Sequence, residues 1–188
     1  MNWHAMTWHR EPPRWEAQGP ALSLVTARDT DFWRTTHYGF VRDNGHFLSA
    51  AVTGDFQAEV RFSAHYERQY DQAGLMLRLS EREWIKAGVE FEGGEQFLSV
   101  VVTRDRSDWS VRPLPPPGGE VRLRLGRVRG AVLVQCFLGG AWQLLRLTDF
   151  PEDEPAHIGP MACSPQGEGL SVTFHDFRVR PATTLDLH

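Results

Sequence analysis

Between residues 72 and 103, three consecutive segments alternate apolar with polar or small residues: Gln72 to Leu79, Trp84 to Glu92 and Gln96 to Thr103. Strand side chains point alternately to opposite faces, so this pattern commits the region to β-structure and splits it into two layers. One layer is continuously apolar: Ala73, Leu75, Leu77, Leu79, Ile85, Ala87, Val89, Phe91, Leu98, Val100 and Val102. The other holds Gln72, Gly74, Met76, Arg78, Trp84, Lys86, Gly88, Glu90, Ser99, Val101 and Thr103. A solvated face would be richer in Arg, Glu and Thr, whereas this one combines the chain's only lysine with a tryptophan, a carboxylate and two glycines. It reads as a surface where something binds.

The same rhythm runs through the rest of the chain. Strand patterns fall at Ala21 to Thr26, Gly39 to Arg42, His46 to Val52, Phe56 to Ser63, Val121 to Leu125, Ala131 to Leu138, Trp142 to Leu147, Ile158 to Ala162 and Leu170 to Val179. Turn residues separate them at spacings too short for helices. Asp43-Asn44-Gly45 has the chemistry of a tight hairpin, and Asp29 to Thr36 reads as a polar loop carrying Phe32 and Trp33. About a dozen strands, each with one apolar face to bury, predict an all-β sandwich of two antiparallel sheets. At 188 residues the chain suits a single domain over residues 1–181. The proline-rich stretch Arg112 to Glu120 reads as a surface connection, and residues 182–188 as a frayed C-terminal tail.

Composition removes several classes. A net charge of −4 with no basic stripe argues against nucleic-acid binding. Nowhere do about eighteen apolar residues run together, and no leader pattern opens the chain, so a soluble, cytoplasmic protein with no membrane role is expected. Two cysteines, Cys136 and Cys163, make no disulfide framework and read as small buried hydrophobes. Eight histidines show no ligand spacing. No metal site and no cofactor are expected, and Ser110 and Ser164 lack the context of a nucleophile.

Glu92-Gly93-Gly94-Glu95 is a two-residue hairpin signal that fixes the register of the central strands. It sets Glu90 against Phe97, Gly88 against Ser99, Lys86 against Val101 and Trp84 against Thr103. Keeping the apolar layer continuous then places Arg78 opposite Trp84, Met76 opposite Lys86, Gly74 opposite Gly88 and Gln72 opposite Glu90. Gly74, Gly88 and Ser99 form a row of small residues, which predicts a trough bounded by Met76, Lys86 and Val101 on one bank and by Gln72, Glu90 and Phe97 on the other. Sheet curvature or a bulge is the alternative use of such glycines. Lys86 and Glu90, four residues apart on one strand and so roughly 13 Å apart, cannot pair directly. Each needs a ligand or another partner: Glu59, Asp71 or Asp108 for Lys86, and Arg78 or Arg124 for Glu90.

Asp31-Phe32-Trp33, Tyr38-Gly39-Phe40, Arg42-Asp43-Asn44-Gly45, Tyr70 to Met76, Trp84 to Glu90, Ser99 to Thr103, Ser107-Asp108-Trp109-Ser110 and Gly159 to Pro165 resemble the recurring blocks of the regulation-of-enolase-type family. That family consists of concanavalin A-like lectin/glucanase domains of formally unassigned function. The resemblance runs from about Phe32 to Val179 and implies a jelly-roll sandwich whose curved sheet presents the concave face on which related lectins and glucanases hold sugar. It implies no catalysis.

Glucanases of this fold set their carboxylates as Glu-x-Asp-x-x-Glu, a spacing that Glu90-Phe91-Glu92-Gly93-Gly94-Glu95 imitates. The Gly-Gly turn sends Glu95 to the next strand, which breaks the required 5 to 5.5 Å approach. Trp33, Tyr38, Trp84 and Trp109 are candidates to stack on sugar rings. The expected ligand-binding set is Asp71, Gln72, Met76, Lys86, Glu90, Ser99, Asp108, Trp109 and Arg124, with no catalytic residue. The leading expectation is a non-enzymatic domain that binds a carbohydrate or sugar-like small molecule. Its alternatives are a hydrolase or epimerase using Glu90 with Lys86, and an interaction module for a protein partner in sugar metabolism.

Overall fold

A computed structural model describes residues 2–115, 119–152 and 155–186. The turn-separated alternation resolves into sixteen strands among these residues, fourteen of them in two seven-stranded antiparallel sheets. From edge to edge, the first sheet carries β1 (Thr7–Trp8), β6 (His46–Val52), β15 (Ala156–Cys163), β8 (Gln72–Arg78), β9 (Glu83–Glu92), β10 (Glu95–Arg104) and β11 (Arg106–Pro113). The second carries β14 (Ala141–Asp149), β13 (Ala131–Leu138), β12 (Val121–Val128), β7 (Phe56–His65), β16 (Ser171–Pro181), β3 (Ala21–Val25) and β2 (Arg14–Gln18). The main core lies between them, where Leu75, Ile85, Val89 and Val100 of the first sheet meet Val60, Phe62, Leu123 and Phe174 of the second.

The central register is the one the Gly93-Gly94 turn dictates. Both glycines have positive φ, 59° and 88°, and the pairs Glu92–Glu95, Glu90–Phe97, Gly88–Ser99, Lys86–Val101 and Trp84–Thr103 follow. On the other side, β8 sets Gln72 against Glu90, Gly74 against Gly88, Met76 against Lys86 and Arg78 against Trp84. Ile85 therefore enters the core between the sheets, and Lys86 turns to the outer face.

That outer face is where sequence and structure part. A second apolar cluster covers much of it: Met76, Trp84, Val101, Met161 and Cys163 pack against Phe32 and Trp33. The last two belong to β4 (Phe32–Arg34), which pairs with β5 (Val41–Asp43) in a separate ribbon. Within the polar loop expected over Asp29 to Thr36, Phe32–Arg34 is thus a buried strand. The Asn-Gly hairpin also fails: β5 pairs with β4 rather than with β6. Asn44 instead clamps the ribbon, its side-chain oxygen accepting from the Asp31 amide at 2.9 Å while its amide group donates to the Asp29 carbonyl at 3.0 Å.

The predicted trough is closed by backbone. A Cβ at Gly74 would lie 2.0 Å from the Ala87 carbonyl oxygen, and one at Gly88 would lie 2.1 Å from that of Ala73. These glycines admit a neighbouring strand, the curvature alternative, and not a ligand. Beside them only about 10 Å³ remains, room for at most one water.

The described part of the tail is docked rather than frayed. Arg124 and Gln135 both donate to the Asp186 carbonyl, at 3.3 and 3.0 Å. The surface connection expected over Arg112 to Glu120 lies partly outside the described residues.

Candidate functional site

The ribbon leaves one part of the outer face open. Its base is tied down first: the Thr30 amide donates to the Ser164 carbonyl and the Ser164 amide to the Thr30 hydroxyl. At its far end the Arg34 amide donates to Ser107 Oγ at 2.9 Å, and Ser107 is itself joined to Thr103. His46, fully buried on β6, links the segments flanking this region: Nε2 accepts from the Ala27 amide at 2.9 Å and Nδ1 faces the Arg10 carbonyl at 3.1 Å. Burial holds its pKa below the ordinary histidine value, which keeps it in the neutral form this bridge requires.

Between ribbon and sheet lies a cavity of about 170 Å³. Its walls are aromatic: Trp33, Tyr38 and Phe40 from the ribbon, Tyr70 from the loop before β8, and Trp109 from β11. Trp33 meets Tyr38 edge to face at 5.6 Å, and Tyr38 stacks on Phe40 at 5.6 Å. Tyr70 takes φ of +66°, a conformation unusual for a bulky side chain that marks local strain at a site. Tyr38 is 49% and Phe40 39% exposed, which places them at the mouth.

The floor is polar and buried. Lys86, 4% exposed, donates to Gln72 Oε1 at 2.6 Å and to Asp31 Oδ1 at 3.1 Å. Burial opposes the ammonium, but the charges of Asp31 and Glu90 outweigh it and hold its pKa above the usual lysine value. Gln72 also donates to the Tyr70 carbonyl at 3.2 Å, so floor and wall share one network. Beside it Glu90, 8% exposed, accepts from Trp109 Nε1 at 3.1 Å, and the same indole N–H lies 3.0 Å from Ser99 Oγ. Desolvation raises the Glu90 pKa above the ordinary carboxyl value despite Lys86 and Ser99.

A stability prediction follows from Glu90. Its folded pKa exceeds the unfolded value of about 4.3, so the folded state binds more protons as pH rises from there to the folded pKa. Glu90 therefore costs stability progressively across that window and by a constant amount above it. Glu90→Gln is expected to be at least as stable as the parent at neutral pH and to lose this slope. Urea midpoints of both proteins across the acid range measure it, and a pH-independent difference would count against the raised pKa.

Of the residues expected at the site, Gln72, Lys86, Glu90 and Trp109 line the cavity. Ser99 supports Trp109 from the closed row, and Met76 is fully buried in the second cluster. Three residues are placed elsewhere. Asp71 accepts from the Glu67 and Arg68 amides and from Ser164 Oγ, so it organises the turn before β8. Asp108, set against Val102 on the core-facing side of β11, pairs with Arg146 of β14 at 2.6 Å. Arg124 lies on β12 in the second sheet, stacked over Trp142 at 4.5 Å. Trp84 is fully buried and is not among the residues that line the cavity.

The partner of Lys86 is Asp31, neither Glu59, Asp71 nor Asp108. Asp31, Phe40, Arg42, Tyr70 and Pro165 line the cavity without having been assigned to a site. All of them stand in the sequence blocks that carry the family resemblance, which was the available signal. Of the three carboxylates in the glucanase-like spacing, only Glu90 reaches the cavity; Glu92 and Glu95 flank the hairpin turn.

Comparison with known proteins agrees with this architecture. A Saccharomyces cerevisiae protein named Regulation of enolase protein 1 is 38% identical over 183 residues, covering 97% of this chain and 92% of its own. The crystal structure of a functionally unknown S. cerevisiae protein superposes with a TM-score of 0.93 at 37% identity, covering 98% of this chain and 100% of the other. More distant structures share the fold alone. A legume lectin-like domain from Entamoeba histolytica has a TM-score of 0.65 at 10% identity, covering 96% of this chain and 92% of that one. The GH43 BlXynB protein of Bacillus licheniformis gives 0.70 at 16% identity, with 92% of this chain matched to 36% of that one. The family model described as protein of unknown function (DUF1349) matches residues 8–182, and to that family this chain belongs.

Proposed function

We propose that the domain binds a small sugar-like molecule in the cavity between the ribbon and the first sheet. The observation that carries this reading is the union of aromatic walls with a buried hydrogen-bonding floor. Sugar rings present apolar C–H faces to π-systems and hydroxyls to carboxylates and amides, and Trp33 and Trp109 stand beside Gln72 and Glu90 in one concavity. The lectin-like fold supports the same reading at the level of architecture.

Lys86 and Glu90 support binding rather than sugar hydrolysis. Lys86 is committed to Asp31 and Gln72, and Glu90 has no carboxylate partner from its own hairpin in the cavity. A second reading, contact with a protein, draws on the exposed Tyr38, Phe40 and Val41 of the ribbon and on the name of the yeast relative.

Intrinsic fluorescence separates the two. Titration with monosaccharides, their acids and their phosphates is expected to change emission from Trp33 and Trp109 saturably, and Trp109→Phe is expected to weaken the binding. No saturable change with any of them at millimolar concentration would reject the sugar reading.

A further inference from the structure

The cavity has a polarity, and it deepens the sugar reading on which this inference rests. At the floor sits Glu90, more than nine-tenths buried. Its hydrogen-bond donor is the Trp109 indole N–H, which also lies 3.0 Å from Ser99 Oγ, and among the described residues no cation forms an ion pair with it. The nearest ammonium, Lys86, is engaged by Asp31. A buried carboxylate whose neighbouring ammonium is bound to another carboxylate retains demand for hydrogen-bond donors.

At the mouth sits Arg42, half-buried. Its Nη1 donates to the Pro165 carbonyl at 3.1 Å, and its guanidinium lies 5.2 Å from the centre of the Phe40 ring. These two contacts hold the group in place without neutralising it, since among the described residues it forms no ion pair with a carboxylate. A guanidinium has five donors in a fixed fork, suited to carboxylate and phosphate, and both contacts leave part of that fork available.

We infer that the cavity takes a polyol bearing one acidic group, with its hydroxyls inward on Glu90 and its carboxylate or phosphate outward on Arg42. The shared chemistry is a hydroxylated chain or ring ending in an anion, and the two kinds of anion form separate arms of the test. A neutral sugar would satisfy Glu90 alone. A cationic amino sugar would satisfy Glu90 but bring a like charge past Arg42.

Isothermal titration of the whole protein with glucose, glucosamine, gluconate and glucose 6-phosphate, repeated with the corresponding pentose series, tests this. At least one acidic member is expected to bind about tenfold more tightly than its neutral parent, and the gain is expected to shrink as salt is raised. Arg42→Gln should bring the acidic member down to the neutral one's affinity with the thermal midpoint unchanged, and Arg42→Lys should restore part of the difference. Equal binding of neutral and acidic members, or preference for glucosamine, would overturn the inference and leave the sugar reading standing. Binding by none of them would remove both. An acidic preference that survives Arg42→Gln would also overturn it, by placing the anion elsewhere.

Discussion

Lys86→Ala is expected to destabilise the ligand-free protein by about 3 to 5 kcal/mol, the range for removing one partner of a buried ion pair. The ammonium lies 3.1 Å from Asp31 and 2.6 Å from Gln72 in a site almost closed to water. Deleting it leaves Asp31, 8% exposed, with the Phe32 amide at 2.8 Å and Gln72 Nε2 at 3.4 Å as its side-chain partners. Neither carries a charge. The loss should extend to the ribbon, because Asp31 also accepts the Asn44 and Gly45 amides through its carbonyl and begins the segment that covers the outer face. Lys86→Met combined with Asp31→Asn removes both charges, and by the same logic it should be less destabilised than Lys86→Ala. Denaturant midpoints at constant slope measure both effects. A loss below about 1 kcal/mol for Lys86→Ala would mean that the pair behaves as a solvated one.

The central sheet was readable because its determinants are local. Gly93-Gly94 sets a two-residue turn, and period-two alternation from Gln72 to Thr103 then assigns every side chain to a face. What covers the outer face was not readable, because its determinants are remote. Asp31 lies 55 residues from Lys86, and nothing in the spacing of either announces the other. The need of a buried lysine for a carboxylate was legible, whereas the identity of that carboxylate depended on where a separate ribbon folds back.

Asn44-Gly45 shows how one local signal can serve two structures. The dipeptide favours a hairpin, but here the Asn44 side chain ties Asp29 and Asp31 together, and a Cβ at Gly45 would lie 2.2 Å from the Phe32 ring. Gly74 and Gly88 carry a similar ambiguity, since a missing side chain admits a ligand or a backbone equally well. Only the packing of β8 on β9 decides between them. The site therefore moved off the glycine row and toward the ribbon, where Tyr38, Phe40 and Tyr70 supply the walls that Gly74 and Gly88 could not.

Trp84→Ala is expected to cost about 3 to 5 kcal/mol, as for other large aromatic truncations in a core. By alternation Trp84 belongs to the outer, non-core layer of its strand, so a reading from sequence alone places it at a surface. In the folded protein it is fully buried, with its ring 6.2 Å from that of Phe32 and its indole N–H donating to the Glu81 carbonyl at 3.3 Å. Phe32 and Trp33 are neighbours on β4, so a cavity left by Trp84 loosens the strand that presents Trp33 to the ligand. The variant should therefore lose stability and weaken sugar binding together, although Trp84 is not among the residues that line the cavity. Trp142→Ala, on a half-buried tryptophan stacked under Arg124 on the second sheet, should cost much less and leave binding unchanged. Melting curves and fluorescence titrations of the two variants distinguish a second core from a solvated face: equal, small losses would return Trp84 to the surface and leave the ribbon without its main support.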